Sequence, residues 1–253
     1  MRQARTDGTA RRAAMALSAG LALLGALPGQ AGAQGAAPGR TAPQDAFPLP
    51  EGCEALLTVQ MRGCYMANHF RCEADPEGVQ RYVTFGGEGA RGASVVDAEF
   101  QWLESYGTER RERLGDDVAD RASLSELFET GTDTYDFPLV DEGGEAPRTE
   151  RVVGVDQLTG ESVTIDGEPL ERTTFEMRRV GADGEEIVSV RGAQFVSRER
   201  RLFFAGTETV SVDGRTIEID HTPMAFIEPG EPGFFATAPL YGCETTDISF
   251  EAD

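Results

Sequence analysis

The 253-residue chain has no lysine: all 23 of its basic residues are arginine, set against 44 acidic residues for a formal net charge of −21. A chain this negative repels phosphate backbones and anionic lipid headgroups unless it carries a local basic stripe. Here the arginines are interleaved with Glu and Asp, so nucleic acid is excluded as an expected partner. Histidine is nearly absent, with only His69 and His221. Motifs that carry chemistry are missing as well. There is no G-x-S-x-G elbow, no CxxC pair and no EF-hand spacing. No glycine-rich phosphate loop joins a strand to a helix, since Gly86-Gly87-Glu88-Gly89 leads from one strand-like run into another and reads as a turn or bulge. Asp116-Asp117, Asp133 with Asp136, and Glu185-Glu186 are neighbouring carboxylates, but among 44 acidic residues such neighbours arise by chance. The sequence therefore names no catalytic residue, no metal ligand and no cofactor, and an enzyme is not expected. The one hydrolytic alternative would use His221 as a general base.

The N-terminus has a different character. Residues 1–12 carry four arginines, ending in Arg11-Arg12, and an apolar run from Ala13 to Leu27 follows. Pro28 breaks the run, and Ala31-Gly32-Ala33 supplies the small residues a signal peptidase accepts. We read residues 1–33 as a signal peptide and 34–50 as a flexible leader rich in Ala, Gly and Pro. Residues 51–253 are then a single β-rich domain, of ample length to bury its own core. The apolar run is short for a membrane span, and no other segment approaches the ~18 apolar residues one requires. The expected location is the periplasm or the extracellular space, with no membrane-spanning segment left after cleavage.

Four cysteines, Cys53, Cys64, Cys72 and Cys243, fit two disulfides in an exported protein. Cys53 and Cys64 are separated by a run with no turn signal before Gly63. Extended, that run spans ~33 Å, and as a helix ~16 Å, against the ~7 Å between Cα atoms that a disulfide permits. A hairpin centred on Asn68 would place Cys64 opposite Cys72. The expected pairs are thus Cys64–Cys72, with His69 inside the loop, and Cys53–Cys243, tying the start of the domain to its end. A zinc site is the rival reading, and the spacings disfavour it.

Period-two alternation dominates from Val79 onward. Val96, Ala98, Phe100 and Trp102 would share one face, with Asp97, Glu99 and Gln101 on the other. Thr173, Phe175 and Met177 alternate with charged or polar neighbours, as do Ile217 and Ile219. Asp166-Gly167, Asp183-Gly184 and Asp213-Gly214 are hairpin turns, because Asp-Gly tolerates the positive φ angles such turns demand. Strands are expected at about 150–157, 161–165, 168–180, 185–197, 200–212 and 215–227, with a last one at Phe234–Leu240. The fold class is mainly β: a long-stranded antiparallel meander forming a curved sheet or half-barrel, with one or two short helices. One helix is signalled by the capping box Ser123-Leu124-Ser125-Glu126, the stripe Leu124, Leu127 and Phe128, and the stop at Gly131. Arg110–Asp120 reads as an exposed helix or a loop, and Asp141–Pro147 as a loop.

Aromatic rings gather in the last third. If the sheet curls, Phe203, Phe204, Phe226, Phe234 and Phe235, with His221, would line a pocket for an apolar ligand, and Tyr241 lies close by in sequence. The same rings would equally fill a plain core. The leading expectation is a binding or carrier module for an apolar small molecule or an envelope component. The alternative is a structural or interaction module of the envelope, with a protein partner and no small ligand.

The stretches Glu129–Phe137, Thr159–Glu176, Leu202–Glu208 and Glu228–Cys243 resemble a family of exported alphaproteobacterial proteins, over most of the chain after the leader. The resemblance implies no activity and transfers no catalytic residue. In architecture alone, a signal peptide followed by a long meander is similar to periplasmic lipoprotein carriers of the half-barrel type, and function does not follow from fold.

Overall fold

A computed structural model describes residues 47–108 and 110–243, so the expected signal peptide and residues 34–46 of the leader lie outside the described residues. The described residues form one antiparallel sheet of thirteen strands. The first six are β1 (Cys53–Met61), β2 (Tyr65–Cys72), β3 (Gln80–Gly86), β4 (Gly89–Val96), β5 (Trp102–Tyr106) and β6 (Arg111–Leu114). A short helix, α1 (Leu124–Thr130), precedes β7 (Thr132–Asp141), β8 (Arg148–Ile165), β9 (Glu168–Val180), β10 (Glu186–Ser197), β11 (Leu202–Val212), β12 (Arg215–Asp220) and β13 (Pro223–Ile227).

The meander expected from the alternation is present, and the Asp-Gly turns are its corners. Asp166-Gly167 and Asp213-Gly214 both have positive φ at the two positions, the geometry of a tight hairpin. The expected strands 150–157 and 161–165 are one, β8, with a register shift between Leu158 and Ser162 around Gly160 at φ 81°. Gly86 and Gly89 pair across the β3–β4 turn.

Sheet order follows chain order except once. β13 pairs with β1, so β12 and β13 are the two edges of the sheet. Those edges are consecutive in the chain, joined only by His221 and Thr222. The sheet must therefore curl until its edges meet at this corner, although no ladder of hydrogen bonds closes it. His221 N–H donates to the Gly206 carbonyl at 2.8 Å, and Arg62 N–H to that of Thr222 at 3.1 Å. Curling puts distant strands face to face. Leu57, Val59, Met61 and Ala67 pack with Phe226 and, across the interior, with Leu170, Phe195, Leu202 and Phe204.

Several expectations are corrected. The run 215–227 is two strands on opposite edges. Phe234–Leu240 is not a strand: its neighbourhood holds three prolines, which cannot donate to a ladder, and Phe235 itself has φ 55°. Val96–Trp102 is a turn, with Phe100 at φ 64° and Val96 pairing directly with Trp102. Part of Arg110–Asp120 is β6, which pairs Arg113 with Val140. The leader does not run to Pro50, because Phe47 and Leu49 pack on Met66, Phe70, Val83, Phe85 and Phe235, and Phe47 N–H donates to the Phe235 carbonyl.

The disulfides are Cys53–Cys72 and Cys64–Cys243, the reverse of the expected pairing. The hairpin turns at Arg62-Gly63-Cys64, where Gly63 and Cys64 both have positive φ, and not at Asn68. Cys53 at the start of β1 then pairs with Cys72 at the end of β2. Cys64, at the tip, donates its N–H to the Tyr241 carbonyl, beside Cys243.

Helix α1 forms as its caps dictate. Ser123 accepts from the Glu126 N–H, and Gly131 takes the left-handed conformation. The return bond of the capping box is made by Asp133, whose carboxylate accepts from the Ser123 N–H. Leu124 and Leu127 bury against Leu158, Val196 and Phe203 from three strands. Among the described residues, no helix is long and apolar enough to cross a membrane.

Candidate functional site

The interior of the curled sheet is hollow in part. One cavity of about 200 Å³ is lined by six aromatic rings: Phe100, Trp102, Tyr135, Phe137, Phe175 and Phe203. Four carboxyl groups, Glu99, Asp133, Asp156 and Glu208, share that lining with Met177, Val190 and Gln194. A second hollow, about 320 Å³, adjoins it through Phe100, Trp102, Gln194, Phe203 and Glu208 and adds Tyr65, His69, Tyr82, Phe204 and His221.

Strand register positions these groups. On β7, Asp133, Tyr135 and Phe137 alternate inward. Their partners on β8 are Asp156 opposite Asp133 and Gly154 opposite Tyr135. The Tyr135 ring lies over Gly154, where a Cβ would come within 2.5 Å of it, so only glycine fits. β9 continues the row, with Phe175 beside Asp156 and Met177 beside Gly154.

The carboxyls are poorly compensated. Asp133 is 3% exposed; one of its oxygens accepts from the Ser123 N–H at 3.0 Å, and the other, Oδ1, has no hydrogen-bond partner. Burial pushes its pKa up to about 6, against the Ser123 bond, with Glu126, Asp120 and Glu99 adding to the rise. Burial likewise pushes Asp156 up to about 7; the Asp133 charge adds to this, and the Gln194 amide, donating at 2.8 Å, opposes it. Glu208 is raised by burial alone. Only Glu99 is paired, with Arg201 at 2.6 Å and the serines of the α1 cap. No arginine lines the smaller cavity. Buried carboxylates elsewhere contrast sharply: Glu112, Asp141 and Glu150 form a network with Arg110, Arg148 and Arg179 that balances them charge for charge.

The histidines are not arranged for nucleophilic chemistry. His69 lies on β2, not in a loop, and is 4% exposed with Nδ1 unpartnered. Burial, helped by Arg200, lowers its pKa to about 4, so it is neutral. His221 stacks on Tyr65 with ring centroids 4.3 Å apart, and burial lowers its pKa while Asp220 raises it. No hydroxyl or carboxylate holds either ring among the described residues, as a Ser-His or Cys-His pair would require, and all four cysteines are bridged. Nor do three His, Cys, Asp or Glu side chains converge to hold a metal there.

Of the six residues expected to bind ligand, Phe203, Phe204 and His221 line the hollows. Phe226 packs edge-on behind Phe204, with centroids 5.0 Å apart. Phe234 and Phe235 are corrected: they cover the opposite face of β2 and β3, because Met66 and Phe70 alternate away from Ala67 and His69. Sequence reasoning missed Asp133, Asp156, Tyr135 and Gln194. The available signal was Asp133 falling in phase with Tyr135, Phe137 and Leu139. No family model, curated protein or solved structure matches the chain, so what this interior does rests on its own chemistry.

Proposed function

We propose that the protein binds a small apolar molecule inside its curled sheet and serves as a binding or carrier module in the periplasm or outside the cell. The observation that carries this is the pair of adjoining hollows, lined by rings from six strands and the β4–β5 turn. A concave, mostly apolar site with a few directed polar groups is the usual form of a small-molecule site. Two disulfides suit an oxidising compartment. Native mass spectrometry of the full chain, purified from its own host without detergent, tests the proposal. A reproducible bound mass that organic extraction removes is the expected result. Protein that is always ligand-free, with no response of Trp102 fluorescence to small alcohols or alkanes, would overturn it. Trp102 is the only tryptophan and lines both hollows, so its emission reports on them directly.

A further inference from the structure

The geometry points to an amphiphilic organic cation as the ligand: an apolar molecule bearing one positively charged nitrogen, seated among the rings and carboxyls of the smaller cavity. This rests on the reading of the interior as a ligand site and adds the ligand's charge. Three observations carry it.

First, three of the four carboxyl groups facing the cavity, Asp133, Asp156 and Glu208, have no ion-pair partner among the described residues; Glu99 alone is paired, with Arg201. Asp133 Oδ1 is buried and accepts no hydrogen bond, and Glu208 has neither an ion pair nor a hydrogen bond among the described residues. The fold can neutralise buried carboxylates with arginine, as it does around Arg179, and has not done so here. Second, the cavity wall is aromatic. Ring faces attract a cation, and this attraction grows when water is excluded. Trp102, Tyr135 and Phe203 on that wall repel an anion for the same reason. Third, burial raises the pKa of Asp133, Asp156 and Glu208, the sign of a site in which a negative charge is costly until a positive one arrives. A metal ion is a poor occupant, because among the described residues no three ligating side chains converge. A charged nitrogen with an alkyl body satisfies both the carboxyls and the rings.

The test uses the full chain and four probes of one length: hexylammonium, hexyltrimethylammonium, 1-hexanol and hexanoate. Each is titrated by calorimetry and by Trp102 fluorescence at about pH 8, where the buried carboxyls are mostly ionised. We expect the two cations to bind at least about tenfold more tightly than hexanol, and hexanoate more weakly than hexanol. A preference for hexylammonium over hexyltrimethylammonium would show that a donated hydrogen bond to Asp133 contributes, and the reverse that the rings dominate; either supports the inference. In Asp133→Asn the advantage of the cations over hexanol should shrink to within about twofold. Glu208→Gln, at a half-buried position, is the second variant should the first fail to fold. Hexanol binding as tightly as the cations would overturn the inference and leave the apolar-ligand reading standing. An advantage that persists in both folded variants would overturn it too. Binding of none of the four probes would overturn both readings.

Discussion

At the scale of single residues, the most informative atoms are those of Asp133 and Asp156. Both sit on strands at positions that alternation assigns to the core, and both are held above the ordinary carboxyl range by burial. The consequence for stability has a definite sign. An unfolded Asp titrates near 3.8, whereas Asp156 in the folded chain titrates at about 7. The folded state therefore holds the proton more tightly, and the stability this contributes is complete below the unfolded value and is lost as pH rises through the folded one. Asp156→Asn removes the titration. We expect its stability, from urea melts between about pH 4 and about pH 8, to gain at least about 1 kcal/mol on wild type across that window. His69, with its lowered value, acts in the opposite sense in both proteins and cancels from the comparison. Parallel curves would show that Asp156 ionises freely. The in-phase spacing of Asp133 with Tyr135 and Phe137 lies in the sequence, but with so many acidic residues in the chain nothing distinguished this carboxyl from solvated ones. Its significance comes from the strand opposite, and register between β7 and β8 is not written in either strand by itself.

At the scale of elements, local chemistry was legible wherever it was self-sufficient. Helix α1 begins and ends where its capping residues say, because caps satisfy backbone groups within one turn of themselves. Ser123→Ala should cost about 1 kcal/mol in a urea melt, since Ser123 both accepts from the Glu126 N–H and donates to Glu99. An unchanged midpoint would mean that Glu99 and Asp133 hold the helix start unaided. The Asp-Gly hairpins were equally readable, as were β9 and β10. Two failures occur where a residue other than glycine or aspartate adopts a turn geometry. Cys64 and Phe100 both have positive φ, which nothing in their side chains announces. Missing the first displaced a hairpin by several residues; missing the second joined two strands into one. The C-terminal segment fails for another reason: Phe234 and Phe235 look like strand residues, but they act as a cover for the second apolar face of β2 and β3.

At the scale of the whole molecule, one long-range pairing decides the architecture. Val59 lies opposite Phe226, so the first strand of the sheet is completed by the last. No local pattern encodes that meeting, whereas the cysteine pairing follows from the β1–β2 register. Peptide mapping under non-reducing conditions should recover Cys53 with Cys72 and Cys64 with Cys243; any other pairing would contradict the β1–β2 register. Loop-closure arithmetic assigns about 3 kcal/mol to the bridge spanning 19 residues and about 5 kcal/mol to the one spanning 179, before any strain. Cys64→Ser with Cys243→Ser should accordingly destabilise more than Cys53→Ser with Cys72→Ser, as read by thermal melts. The opposite order would mean that the edges of the sheet are held without the longer bridge.

The return of β13 to β1 also governs the order of assembly. Every other strand can zip onto the one made just before it, a rapid and local process. The last must wait until the whole ribbon has been laid down. A nascent chain emerging from its N-terminus therefore carries the bare rim of β1 through nearly all of its synthesis, and a bare rim is where a second molecule can add itself. The exposure of β1 belongs to that interval, before residues 223–227 arrive, and ends once they dock.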